Sequence, residues 1–129
     1  MFKRKFCLII PCAIAGGACN SLSVYPGDQV CTLVAVPAIT IAVRDSASGL
    51  PIARASTATA VDGSFTSVDT HPGGGALDDV LLSLAYERAG TYTVTVTKPG
   101  YREWRRTGVQ VGRDECHVIT VPLTARLQQ

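Results

Sequence analysis

Only two histidines, His71 and His117, and one tryptophan, Trp104, occur in this sequence of 129 residues. Two imidazoles so far apart supply none of the paired spacings that hold a catalytic zinc ion. No serine stands in a Gly-x-Ser-x-Gly elbow. No glycine loop runs into Lys-Ser or Lys-Thr, and His71-Pro72-Gly73-Gly74-Gly75 has no helix to open, so a phosphate cradle is missing. The acids never fall into the order of a calcium-binding EF-hand loop. After residue 18 no segment joins a helical period to a cap. These gaps remove the motif-defined enzyme classes and an α-helical domain. What remains legible is the placing of five cysteines, the layout of charge, and the periodicity of strands.

Cys7 and Cys12 lie inside an N-terminal apolar stretch. Met1-Phe2-Lys3-Arg4-Lys5 is a basic start, Phe6 to Ala15 is apolar apart from the break at Pro11, and the small residues Gly16-Gly17-Ala18 precede Cys19. That is the anatomy of a secretory signal peptide over 1–18, with an apolar part too short to span a bilayer. Pro11 and Gly16-Gly17 argue against a buried helix or strand in the same place. Ala18-Cys19 resembles the lipobox of bacterial lipoproteins, in which the cysteine takes a diacylglyceryl group and becomes the first residue. Gly16 stands where that box usually has leucine, so ordinary cleavage after Ala18 or Ala15 is the rival. Lipidation of Cys19 leaves an even pair, Cys31 and Cys116, for a disulfide. Ordinary cleavage also permits Cys19–Cys31 with Cys116 free. A Cys31–Cys116 bridge closes a very long loop, for which chain entropy gives an upper figure of roughly 4–5 kcal/mol.

Removal of residues 1–18 changes the charge. The chain has 12 Lys and Arg against 10 Asp and Glu. Lys3, Arg4 and Lys5 belong to the leader, which leaves nine bases against ten acids. The basic balance is a property of the signal, and an inference toward nucleic acid fails. The acids concentrate before residue 97 and the bases after it. The remaining length suits one domain, expected over 37–129, with residues 19–36 as lipid-anchor cysteine and tether, Asn20 to Val30 forming the short tether itself.

The periodicity is that of strands. Ile39, Ile41 and Val43 alternate with Thr40, Ala42 and Arg44. Thr91 to Thr97 alternates in the same way, with Tyr92, Val94 and Val96 inward and four threonines outward. Residues 53–61 and 64–68 flank Asp62-Gly63, a tight hairpin turn. Val80 to Tyr86 reads as a further strand, as do Val109 with Val111 and the run from Val118 to Leu127. Pro- and Gly-rich breakers separate these runs. About seven short strands predict an all-β, antiparallel Greek-key β-sandwich.

Val43-Arg44-Asp45, then Gly49-Leu50-Pro51-Ile52 and Ala55, resembles the opening of carboxypeptidase-regulatory-like domains, which are transthyretin-like (prealbumin-like) β-sandwiches. Ala89-Gly90-Thr91-Tyr92-Thr93-Val94-Thr95-Val96, Lys98-Pro99-Gly100-Tyr101 and Val109-Gln110-Val111 match its later part, so the resemblance spans about Pro37 to Leu127. A glycine-rich loop at 69–79 departs from the family's short course between these parts. The resemblance implies a non-enzymatic accessory module of an exported protein, with no catalytic residues and no cofactor. The hydroxyisourate hydrolases of the wider superfamily use a histidine and arginine channel and a Tyr-Arg-Gly-Ser tail, and this chain ends Ala125-Arg126-Leu127-Gln128-Gln129 instead.

Two places remain for chemistry. Lys98, Tyr101, Arg102, Trp104, Arg105 and Arg106 surround the one tryptophan with cationic and ring neighbours, a composition suited to stacking on a sugar or gripping an anionic partner. The plainer alternative is Trp104 packed inward at a sheet edge beneath snorkelling arginines. The second place is the 69–87 loop, where His71 with Asp69, Asp78, Asp79 and Glu87 offers oxygen-rich ligands, although a polar surface loop has the same composition. His117 reads as a strand-surface or edge residue. The expectation is a structural or ligand-binding module at the bacterial cell envelope, held to a membrane by its N-terminal lipid or else soluble and secreted, and contacting protein or glycan. A small hydrolytic or metal-dependent enzyme using the 69–87 loop is the alternative.

Overall fold

A computed structural model of the chain describes residues 30–75 and 77–129. The expected leader, Cys7, Cys12 and the Cys19 anchor lie outside the described residues.

Seven strands and no helix form the described part: β1 (Ile39–Asp45), β2 (Thr57–Asp62), β3 (Phe65–Thr70), β4 (Leu81–Leu84), β5 (Gly90–Thr97), β6 (Trp104–Val111) and β7 (Val121–Leu127). They make two sheets, one of three strands ordered β4-β1-β7 and one of four ordered β3-β2-β5-β6. The alternation read from the sequence decides the inner faces. Ile39, Ile41 and Val43 of β1 are buried against Tyr92, Val94 and Val96 of β5, and Leu82, Leu84, Leu123, Ala125 and Leu127 complete the core from the smaller sheet. Each of the larger aliphatic side chains contributes on the order of 1.5–3 kcal/mol by leaving water. Alanines at 58 and 60 keep β2 thin where it faces this bulk. The β2–β3 hairpin turns at Gly63-Ser64, next to the expected position, and pairs Asp62 with Phe65.

One pairing departs from the antiparallel pattern. β1 and β7 run parallel, from Ile39 opposite Val121 to Asp45 opposite Leu127. Alternation of side chains fixes which face of a strand is buried but not the direction of its neighbour, so this was hidden in the sequence. Pro122 is tolerated because β7 is an edge strand, where a missing N–H leaves no ladder bond unmade.

β6 carries an irregularity that decides where Trp104 points. Val96, Thr95 and Val94 face Trp104, Arg105 and Arg106, yet Tyr92 faces Val109, so the register slips between Tyr92 and Val94. Gly108 takes φ +67° at this bulge, a left-handed conformation open to glycine. The slip changes parity. Val109 and Val111 point into the core, and without the bulge Trp104 would point away from it. With the bulge, Trp104 lies opposite inward-facing Val96, is half-buried and packs on the core.

Before β1, the segment from Cys31 to Pro37 is tied to the domain as an arm. A Cys31–Cys116 disulfide anchors its start, Val36 and Glu87 exchange backbone and side-chain bonds, and Thr120 Oγ1 donates to the Pro37 carbonyl at 2.6 Å.

Candidate functional site

The end of the sandwich where β6 starts and β7 finishes holds a shallow cleft of about 230 Å³, lined by Arg102, Glu103, Trp104, Arg105, Arg126 and Gln128. Backbone pairing closes its floor, since Arg102 N–H donates to the Gln128 carbonyl at 2.7 Å. The indole forms one wall. Among the described residues, the guanidinium groups of Arg102, Arg105 and Arg126 enter no ion pair, whereas Arg44, Arg54 and Arg88 are each paired with an aspartate. The three unpaired forks surround a single acid, Glu103, so the cleft has a cationic surplus.

Of the six residues singled out from sequence, the cleft gathers Arg102, Trp104 and Arg105. Lys98 is turned away and its ammonium bonds the Arg54 carbonyl. Tyr101 is half-buried, donates to Asp45 Oδ2 at 3.1 Å and accepts from Gln129. Arg106 is exposed on β6 outside the cleft lining. Arg126 and Gln128 were missed because they stand more than twenty positions later. Only the packing of the two sheets, joined here by the Arg102–Gln128 backbone bond, brings the end of the chain beside residue 104.

Tyr101 has a structural task through Asp45. Backbone N–H of Ser48 and Ala47 and the Tyr101 hydroxyl all donate to the Asp45 carboxylate. The Ser48 amide above all holds its pKa below the ordinary aspartate value, although partial desolvation opposes this.

The 69–87 loop does not assemble its candidate ligands. Asp69 accepts the Ser83 amide at 2.8 Å, Asp78 binds Arg54 at 2.7 Å, and Asp79 stands 3.9 Å from Arg44. His71 Nε2 lies 2.6 Å from the Leu77 carbonyl. Asp69 and Asp78 each fasten one segment to another, and His71 braces its own loop. Among the described residues no group of three His, Cys, Asp or Glu side chains could hold a metal ion.

Glu87 instead meets His117, which is not a bare edge residue. His117 Nδ1 lies 2.7 Å from Glu87 Oε1, and His117 Nε2 lies 2.9 Å from Thr32 Oγ1 on the arm. Glu87 reaches this position from a left-handed backbone, φ +53°, in the turn between β4 and β5. The Val36 amide, followed by the His117 imidazole, keeps its carboxyl ionised to lower pH than an ordinary glutamate, against a desolvation cost. Thr32, Glu87, Arg113 and His117 line a second cleft of about 370 Å³ together with Leu33 and Val34.

No known protein family, curated protein or solved structure matches this chain. The Cys31–Cys116 disulfide, with Cα atoms 5.2 Å apart, belongs to an oxidising, extracytoplasmic environment.

Proposed function

We propose that this protein is a non-enzymatic binding module of the bacterial cell envelope, resembling the carboxypeptidase-regulatory-like domains, which takes an anionic group of a protein or glycan partner at the Trp104 cleft. The carrying observation is the set of three unpaired guanidinium groups around a half-buried indole. Arginine forks match carboxylate, sulfate and phosphate geometry, and an indole face packs on a sugar ring or an aliphatic stem. A cleft of this size holds one ring or one side chain, the tip of a longer partner. Export follows from the leader over 1–18, and lipidation of Cys19 places the module at a membrane.

The reading is tested by passing the folded domain over immobilised anionic and neutral glycans and over acidic peptides at low and moderate salt. Retention on anionic supports that weakens with salt, and weakens further in Arg102→Ala and Arg126→Ala at unchanged melting temperature, is the expected result. Equal retention of wild type and both variants would remove the cleft from the account.

A further inference from the structure

The arm brings a hydroxyl, an imidazole and a carboxylate into line, far from the Trp104 cleft in role and composition. An ionised carboxylate only accepts hydrogen bonds, so the imidazole nitrogen facing Glu87, Nδ1, is the protonated one. In the neutral ring Nε2 then keeps its lone pair and accepts the Thr32 hydroxyl proton at 2.9 Å. Glu87 fixes the tautomer, and the disulfide beside both residues fixes the arm: Cys31 adjoins Thr32 and Cys116 adjoins His117. The Thr32 side chain is exposed, and the imidazole, at 21% exposure, is shielded behind it. Arg113, which enters no ion pair among the described residues, lines the cleft into which this hydroxyl opens.

From this arrangement we infer that Thr32 is an activated hydroxyl that accepts an acyl group from an activated ester. Thr32 Oγ1 attacks the ester carbonyl carbon while its proton passes to His117 Nε2. The new Oγ1–C bond gives a tetrahedral oxyanion, whose charge Arg113 is placed to offset. Collapse breaks the bond to the leaving oxygen, and His117 returns the proton to that oxygen. The products are an acyl-threonine and a free alcohol, and no redox partner or metal takes part. A hydroxyl in contact with a base that is itself oriented by a carboxylate is the general arrangement for such nucleophiles. This acceptor chemistry is independent of the binding reading at Trp104.

The test is to expose the full folded protein to p-nitrophenyl acetate, follow its intact mass without reductant, and map the modified peptide. One acetyl group on Thr32 is expected, retained in Thr32→Ser and lost in Thr32→Ala. General base assistance contributes on the order of 10²–10⁴ in rate, so His117→Gln should slow acetylation of Thr32 by roughly 10²-fold or more. Thr120→Val, which removes the bond from Thr120 to the arm's Pro37 carbonyl but leaves the relay intact, should keep the wild-type rate. Acetylation confined to lysines and the amino terminus would overturn the inference. So would a Thr32 rate that His117→Gln leaves within about tenfold of wild type, or one that Thr120→Val lowers as much as His117→Gln does.

Discussion

At the scale of single residues, Tyr92 shows how a polar group is placed in a core. Its ring is buried, packs edge-on to Phe65, and its hydroxyl donates to the Arg88 carbonyl at 2.7 Å and accepts from the Arg88 side chain at 3.0 Å. Tyr92→Phe should therefore cost about 1–2 kcal/mol, the range of a hydrogen bond lost with a partner left behind. Tyr92→Ala should cost about 3–5 kcal/mol, which urea unfolding distinguishes. Glu87 gives a pH prediction. Its folded pKa is lowered, so the stability it adds is fully present above the ordinary glutamate value of 4.5 and is lost as pH falls through the lower folded value. Denaturation of wild type and Glu87→Gln should differ near neutrality and converge in acid; a gap that persists at the lowest pH would contradict the assignment. Tyr92 was legible as an inward residue from its alternation with threonines. The Thr32–His117–Glu87 relay was not, because its members come from an arm, a turn and the segment after β6, and the left-handed backbone at Glu87 has no signature in that residue type.

At the scale of elements, the strands were readable and their partners less so. Residues 39–45 and 90–97 form strands as their period-2 patterns require, and the run from Val80 to Tyr86 contains the short β4. The parallel β1–β7 pairing and the start of β6 at Trp104 were not readable, the second because a bulge interrupts the alternation. Glycine at position 108 is what permits that bulge. Gly108→Ala should cost about 1–2 kcal/mol for a left-handed alanine and should also shift the Trp104 emission maximum, since strain relieved by straightening β6 turns the indole outward. A destabilised variant with an unchanged emission maximum would uncouple the bulge from the cleft. Gly90 adds a second constraint on the same sheet. A Cβ there would run into the Asp62 carboxylate, which pairs with Arg88 at 2.8 Å, so Gly90→Ala should release that ion pair. Exchange of the Arg88 side-chain protons would report it.

At the scale of the molecule, a modest core is reinforced by closure of the chain. The bridge joins residues 85 positions apart and fastens the arm over the turn that holds Glu87. Reduction should lower stability by about 2–4 kcal/mol, less than the entropic upper figure because the reduced arm keeps its hydrogen bonds to Glu87, His117 and Thr120. Calorimetry with and without reductant checks this, and an unchanged melting temperature would mean that the arm adds nothing to the fold. The charge layout also acquires a meaning at this scale. The late bases of the sequence supply Arg102, Arg105 and Arg126 at one end of the sandwich, while the early aspartates Asp79, Asp78 and Asp62 pair with Arg44, Arg54 and Arg88. The surplus was visible in the order of residues. Its concentration in one cleft depended on β7 returning beside β1 and β6.

Trp104 is the only tryptophan, so its fluorescence reports on the cleft alone. The most direct measurement is a titration of the folded protein with an acidic oligosaccharide, repeated with its neutral counterpart and in Arg102→Ala and Arg126→Ala. A saturable change in emission is expected with the acidic ligand, weakened by salt and by either substitution, and none with the neutral one. Identical responses to both sugars, unaffected by loss of the arginines, would contradict the cleft as an anion-binding site.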